Sequence, residues 1–347
     1  MMLNLANTFS EFGKKVDLVI VRKEGHYLKL LSKKVNVVYL ESRKTFLSLF
    51  PLIRYLRRSK PDVLLSTLVH VNIVAIIAKL LSFSKCKVFV RETNWIKANR
   101  SDRNQPFFFR FAYRFVRLVY PLADGVIAVS QKMADSLKSE EHIPDNKIHV
   151  IFNPVITSGV FSMAKERPDH PWFHEKSVKI ILSAGRLAPQ KDFPTLIKAF
   201  SRIKADNSCK LVIIGDGKEK GNLQNLIDSL QMNGKIELAG FQSNPYSFMA
   251  NCNLFVLSSL WEGSPNVLVE AMACGATVVS TNCPSGPDEI LEQGKYGKLV
   301  PPGNVDELAA AITYSMQNPA DPSVMISRAE LYSAKTSASK YLECFFR

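Results

Sequence analysis

One recurrent pattern restricts the fold more than any other. Short runs of Val, Ile and Leu, most of them ending in Gly or Ser, alternate with helical segments along all 347 residues. In the first half the runs fall at 16–21, 35–40, 62–66, 86–91 and 125–130. In the second half they fall at 178–185, 209–215, 235–240, 253–259 and 276–281. A strand without polar alternation needs apolar cover on both faces, which parallel sheets with crossover helices provide. The pattern predicts two doubly wound α/β domains, at 1–155 and 178–330. Residues 156–177, rich in Pro, polar and charged side chains, are expected to link them. Residues 331–347 are expected to form a helix packing back on the first domain. In open α/β sheets ligands bind beyond the carboxyl ends of the strands. Two such domains facing one another make a cleft, so the residues just after each strand carry the most weight.

Charge narrows the partners. Residues 1–170 hold 28 Lys and Arg against 14 Asp and Glu, whereas residues 171–347 hold 17 of each, so the whole net charge of +14 sits in the first half. One domain is therefore expected to meet something anionic, a nucleic acid or a membrane surface, or else to carry only a basic solvated face. The six cysteines include no C-x-x-C pair and no metal-finger spacing, and read as buried, reduced thiols of a cytosolic protein. The opening "MMLNLANTFSEFG" lacks the pattern of a signal peptide, and the longest apolar run, 71–81, is too short to span a bilayer. A soluble chain is expected.

The second domain carries the clearest chemistry. After the run at 178–185 comes "GRLAPQKDFPTLIKAF" (185–200). Gly185 permits a tight turn that presents Arg186 and Lys191, and Asp192 can cap a helix with Pro194 in its first turn. Two fixed cations beside a helix start suit a diphosphate, with about 1.5–3 kcal/mol from each charge-assisted hydrogen bond. An ordinary surface Arg and Lys is the bland alternative. Gly215, Gly217, Gly240 and Phe241 also follow strands, and peptide groups near Gly240 suit the edge of a nucleobase. A "GDG" such as 215–217 is equally at home in an ordinary turn.

"WEGSPNVLVEAMACG" (261–275) places two carboxylates, Glu262 and Glu270, eight residues apart with Gly263 and a Ser264-Pro265-Asn266 turn between them. Ser264 can cap a helix beginning at Pro265, and Gly275 can close it. The N–H groups of Asn266 and Val267 then favour an anion. Glu270 lies inside the helix among apolar neighbours and needs donors. A ribose diol supplies two, and loop amides are the alternative. Glu262, before the turn, suits the hydroxyls of a sugar, or else stands in solvent.

On these residues the chain resembles the family 4 glycosyltransferases of the GT-B fold, with two Rossmann-like domains. The resemblance rests on "GRLAPQKDFPTLIKAF", on the Glu262–Glu270 spacing and on 266–304, with support from "ADGVIAVSQKMADSL" and "IHVIFNPV". It implies that Arg186 and Lys191 hold the donor diphosphate, that Glu270 holds the ribose and that Glu262 orients the donor sugar. It also implies retention of anomeric configuration without a metal or other cofactor, in keeping with the absence of a D-x-D clamp. "CPSGPDEIL" and "GKYG" resemble members that build bacterial surface glycans such as lipopolysaccharide or capsule, many with UDP-N-acetylhexosamine donors. A UDP-sugar donor and a lipid-linked glycan acceptor follow as expectations.

Two departures from the family pattern stand out. The chain opens on what looks like the helix that follows the family's first N-terminal strand and Gly-rich loop, so either a truncated start or an impaired protein is expected. A histidine common after a first-domain strand is replaced by "VRETNWIKANRSDR" (90–103), which offers Arg91, Glu92 and Asn94, while His70 ends another strand. In 99–122, Arg100, Arg103, Arg110, Arg114 and Arg117 alternate with seven aromatics. That composition suits a helix in an anionic membrane interface, at the inner face of the plasma membrane, and no nucleic-acid motif is present. A core helix with a basic face is the plain alternative. The other functions open on this scaffold are a nucleotide-sugar epimerase, a phosphorylase and a truncated, non-catalytic nucleotide-sugar binder.

Overall fold

The computed structural model describes all residues except 23–27, 29, 94–112 and 204–207. The chain divides into two compact units, Met1–Pro154 with Ala334–Arg347, and Val155–Ser333. In the first, β1 (Asp17–Ile20) pairs in parallel with β2 (Asn36–Tyr39). A separate parallel sheet runs β3 (Val63–Thr67), β4 (Lys87–Glu92), β5 (Gly125–Ala128) and β6 (Ile148–Val150), in that order. Successive residues on a strand face opposite sides, and the core divides accordingly. Val88, Val90, Val126 and Ala128 pack with Leu56 and Ile76, while Phe89 and Ile127 pack with Leu5, Tyr341 and Phe345. The second layer belongs to helices Met2–Glu11 and Ala334–Phe346, whose Phe9 and Tyr341 rings meet edge to face. Both faces of the sheet are thus covered, which is why its strands show no polar alternation.

The segment 156–177 differs from the expected linker. It is part of the second unit, with helix Ser158–Ala164 and a 3-10 turn at Pro171–His174. Ile156 bridges to Ser333, Val160 is buried, and His170 packs against Trp172, Phe173 and Phe248. A few anchoring side chains fix a segment whose composition is otherwise that of a loop. The cysteines are all free, but only Cys86, Cys209 and Cys283 are fully buried; Cys252, Cys274 and Cys344 are half-buried.

The second unit is built on a six-stranded parallel sheet. Its strands are β7 (Lys179–Ala184), β8 (Cys209–Ile214), β9 (Ile236–Gly240), β10 (Leu254–Leu257), β11 (Val278–Thr281) and β12 (Lys298–Val300). They lie in the order β12-β11-β10-β7-β8-β9. Helix Phe193–Arg202 buries Phe193, Leu196, Ile197 and Phe200, an i, i+3, i+4, i+7 stripe, against this sheet. Each such side chain contributes at most about 1.5–3 kcal/mol. The strand order reverses between β7 and β10, which are paired at Leu254 and Ile181. At such a switch point the loops leaving the two central strands run to opposite faces and open a crevice between them.

Candidate functional site

Both loops at the switch point carry the residues singled out in the sequence, and backbone contacts lace them together. Ser258 donates its hydroxyl to the Lys191 carbonyl at 2.7 Å, and Gln190 donates its amide to the Trp261 carbonyl at 2.8 Å. The Leu260 N–H completes the seam by donating to the Gln190 carbonyl at 2.8 Å. Lys191 ends a 3-10 turn, Pro189–Lys191, and Asp192 follows in a left-handed conformation (φ 46°) before helix Phe193–Arg202 begins. Gly185 lies against the Lys191 stem: a Cβ there would stand 3.2 Å from Lys191 Cε.

The consequence of this lacing is a contact between residues 71 positions apart. Lys191 Nζ donates to Glu262 Oε1 at 2.5 Å, and Ser259 donates its hydroxyl to the same oxygen at 2.6 Å. Glu262 and Ser259 are both buried, and the Lys191 side chain is only 17% exposed. Ser259 is held in turn by Thr281, whose hydroxyl donates to the Ser259 carbonyl at 2.6 Å. The segment 283–286 closes the turn from the other side. Ser285 donates to the Gly263 carbonyl at 2.8 Å, and Gly286, at φ 105°, lies so close that a Cβ would stand 2.6 Å from Pro265 Cδ. Ser259 and Thr281 were not singled out in the sequence, although each is a polar residue at the end of an apolar run, the one place where such a residue meets a crevice.

Glu270 is set differently. It lies in helix Asn266–Ala273 and is half-buried; burial pushes its carboxyl up to about 7, and the positive charge of Lys191 acts in the opposite direction. Its own charge, added to burial, raises the Tyr246 phenol and lifts the Cys274 thiol to about 12. The two carboxylates therefore have unlike surroundings, Glu262 bound to a cation and a hydroxyl, Glu270 desolvated.

One detail of the helix start differs from expectation. Ser264 does not cap it: the helix begins at Asn266, with Pro265 in the cap position and no side-chain cap bond. The extended ψ of 92° at Pro265 keeps that residue outside the helix and places Ser264 one position too early to reach the first turn. Asn266 and Val267 form the first turn, and Gly275 follows the last one in the left-handed region at φ 81°.

The glycines after β8 and β9 divide in role. A Cβ on Gly215 would stand 1.9 Å from the Gly185 carbonyl oxygen, and one on Gly217 would stand 2.3 Å from that of Leu187. These two residues let the loop after β8 press onto the loop after β7, where Leu187 N–H donates to Asp216 O at 2.9 Å. Gly240, at φ 71°, has nothing within 4 Å of a Cβ position, and the following Phe241 is 72% exposed. The backbone and ring at 240–241 are thus open beyond the sheet edge. Arg186, the residue after Gly185, is exposed.

In the first unit, Arg91 and Glu92 end β4 and are buried. Arg91 donates to Asn153 and, at 3.4 Å, to Thr67. Glu92 accepts from the Tyr120 hydroxyl at 2.9 Å, and Tyr120 accepts from Asn72, which also takes the Ser66 hydroxyl at 2.8 Å. Both residues are therefore engaged in a buried polar network. His70 is half-buried in helix Val69–Ser82, and burial lowers its pKa. Asn94 lies outside the described residues, as does 99–112 of the basic-aromatic segment. From Tyr113 onward that segment is a 3-10 turn, one turn of α-helix and another 3-10 turn, with Tyr113, Val116 and Tyr120 buried. Arg117 is bound to Glu141 at 3.7 Å and to the Glu140 carbonyl. No described helix is long and apolar enough to cross a membrane. Among the described residues no group of His, Cys, Asp and Glu is placed to hold a metal ion.

Comparison with known proteins accounts for both units. Residues 1–158 match the family described as Glycosyltransferase Family 4, and residues 164–332 match Glycosyl transferases group 1. The chain is 35% identical over 193 residues to the N-acetylgalactosamine-N,N'-diacetylbacillosaminyl-diphospho-undecaprenol 4-alpha-N-acetylgalactosaminyltransferase of Campylobacter jejuni, covering 56% of this chain and 51% of that protein. It is 34% identical over 166 residues to the lipopolysaccharide core biosynthesis glycosyltransferase LpsE of Rhizobium meliloti, covering 48% of this chain and 46% of that one. The chain thus spans about half the length of these curated relatives. Among solved structures, Anabaena Alr3699/HepE in complex with UDP superposes with a TM-score of 0.78 at 19% identity, over 99% of this chain and 94% of that one.

Proposed function

Because the chain belongs to the family 4 glycosyltransferases of the GT-B fold, we propose that it moves a sugar, an N-acetylhexosamine or hexose, from a UDP-linked donor to a hydroxyl of a lipid-linked or surface-polysaccharide glycan, with retention of configuration and without a metal. The observation that carries this reading is the buried Lys191–Glu262 pair at the switch point, with Glu270 on the helix that follows. A cation, a hydrogen-bonded carboxylate and a desolvated carboxylate match the three polar parts of a nucleotide sugar. Lys191 and Arg186 neutralise the diphosphate, together with the N-terminus of helix Asn266–Ala273. Glu270 accepts from the ribose hydroxyls, and Phe241 with the Gly240 peptide meets the base. Glu262 accepts from a hydroxyl of the donor sugar.

In the transfer step the bond from the anomeric carbon to the diphosphate oxygen breaks. The acceptor hydroxyl attacks that carbon on the same face, and its proton passes to the departing phosphate oxygen. The fixed cations stabilise the charge that develops there. A UDP donor is supported by the UDP complex of the Anabaena neighbour, and a lipid-linked acceptor by the diphospho-undecaprenol in the name of the Campylobacter relative. The net charge of +14, all in the first half, supports peripheral residence on the anionic inner face of the plasma membrane, with segment 99–122 as the contact. A donor screen by UDP release, with a lipid extract as acceptor, tests the reading. Release from one donor is expected; a Lys191→Ala variant that releases UDP at the wild-type rate sinks the diphosphate assignment.

A further inference from the structure

Both hydrogen bonds that the structure gives the Glu262 carboxylate fall on one oxygen. Lys191 Nζ and the Ser259 hydroxyl meet at Oε1, at 2.5 and 2.6 Å. Two donors converging on one oxygen fix the plane of a carboxylate, because swinging it about its last bond breaks both contacts at once. Oε2 takes no hydrogen bond from the described residues. Ser259 is fully buried and follows β10 by two residues, so its side chain has no solvent partner to exchange with. Its backbone is pinned by the Thr281 hydroxyl, itself fully buried at the end of β11. A chain of hydrogen bonds thus runs from the end of β11, through Ser259, to the carboxylate.

We infer that Ser259 is a positioning residue for the transfer reaction: it reserves Oε1 of Glu262 for Lys191 and itself, and so presents Oε2 to a hydroxyl of the donor sugar. Thr281 supports it from the neighbouring strand. The inference rests on the transferase reading above and adds residues which that reading does not use. Three consequences follow. The role concerns the sugar and not the nucleotide, so binding of UDP alone is insensitive to Ser259. It is exerted through Glu262, so it vanishes where Glu262 cannot carry it. Moreover, Ser259 touches no reacting atom, so its loss slows turnover without abolishing it.

The test is a double-mutant cycle of Ser259→Ala and Glu262→Gln in the full chain, read by UDP release from whichever UDP-sugar the wild type turns over, with calorimetric titration of UDP beside it. Ser259→Ala is expected to lower kcat about tenfold, the worth of one hydrogen bond to a charged group, with UDP affinity within about twofold of wild type. In the Glu262→Gln background the same substitution is expected to change kcat by less than about twofold. Equal losses in both backgrounds overturn the positioning role, as does a fall in UDP affinity that matches the fall in kcat. Thr281→Val, which keeps the side-chain shape, enters the same cycle and takes over the test where Ser259→Ala does not fold. A wild type that releases UDP from no donor overturns the transferase reading and this inference with it; additive losses in an active enzyme overturn this inference alone.

Discussion

Glu270→Gln is expected to stabilise the unliganded protein while weakening its hold on the nucleotide. In the folded chain burial raises the Glu270 carboxyl from its ordinary 4.5 to about 7. The folded state therefore keeps a proton that the unfolded state has lost across the window between those two values. Stability changes with pH according to the difference in bound protons, so through this window it falls as pH rises, and above about 7 the full cost of the buried charge is present. At about 1.36 kcal/mol for each pH unit the cost reaches about 3 kcal/mol. Glutamine keeps the size and cannot ionise. Thermal melts should place the variant above wild type at pH 8.5, by as much as about 6–10 °C, and level with it near pH 4.5. Titration of UDP at pH 8.5 should show the opposite preference, with binding weaker by about tenfold or more, because a carboxylate accepts from two hydroxyls where an amide offers only one acceptor. Wild-type UDP binding should itself weaken as pH falls below about 7. A gap in melting temperature that does not change with pH removes the desolvated carboxylate from the account, and unchanged UDP affinity removes the ribose assignment.

Other substitutions probe separate parts of the site. Gly215→Ala should cost several kcal/mol, since the new Cβ would stand 1.9 Å from the Gly185 carbonyl oxygen at a φ of 135°; a melting temperature within about 2 °C of wild type contradicts the close loop approach. Phe241→Ala should weaken UDP by about 1–3 kcal/mol through lost base stacking while leaving inhibition by inorganic pyrophosphate unchanged; parallel losses for both ligands place the ring elsewhere. Tyr120→Phe removes the donor to buried Glu92 at 2.9 Å and should destabilise the first unit by about 1–3 kcal/mol in urea unfolding; a neutral result means that the network is not fully desolvated.

Legibility in the sequence followed burial. Strands covered on both faces, such as Ile180–Leu182 and Leu254–Val256, are fully buried and read directly as apolar runs. The three-residue strands Ile148–Val150 and Lys298–Val300, each at the edge of its sheet, escaped notice. An edge strand has cover on one side only and needs no long run. The helix at 266–273 was legible for the opposite reason, as a punctuated unit between Pro265 and Gly275, and only its cap was misplaced, by one residue.

The candidate site was legible as a set of residues and not as an arrangement. Sequence placed Lys191 and Glu262 after strands, but their contact depends on β7 and β10 being neighbours, and a strand order that reverses there is a property of the whole sheet. Gly215 and Gly217 show the same limit. A glycine after a strand signals that some backbone comes close, and here the approaching backbone is that of residues 185–187. Those glycines act at one remove: they bring the loop after β8 against the loop that carries Arg186 and ends at Lys191. Glu262 and Glu270 complete the contrast. Eight residues apart on one segment, they differ because the turn at 263–265 points the first toward a cation from another loop and the helix keeps the second among apolar neighbours. The spacing alone could not separate a carboxylate bound to Lys191 and Ser259 from one that burial pushes toward neutrality.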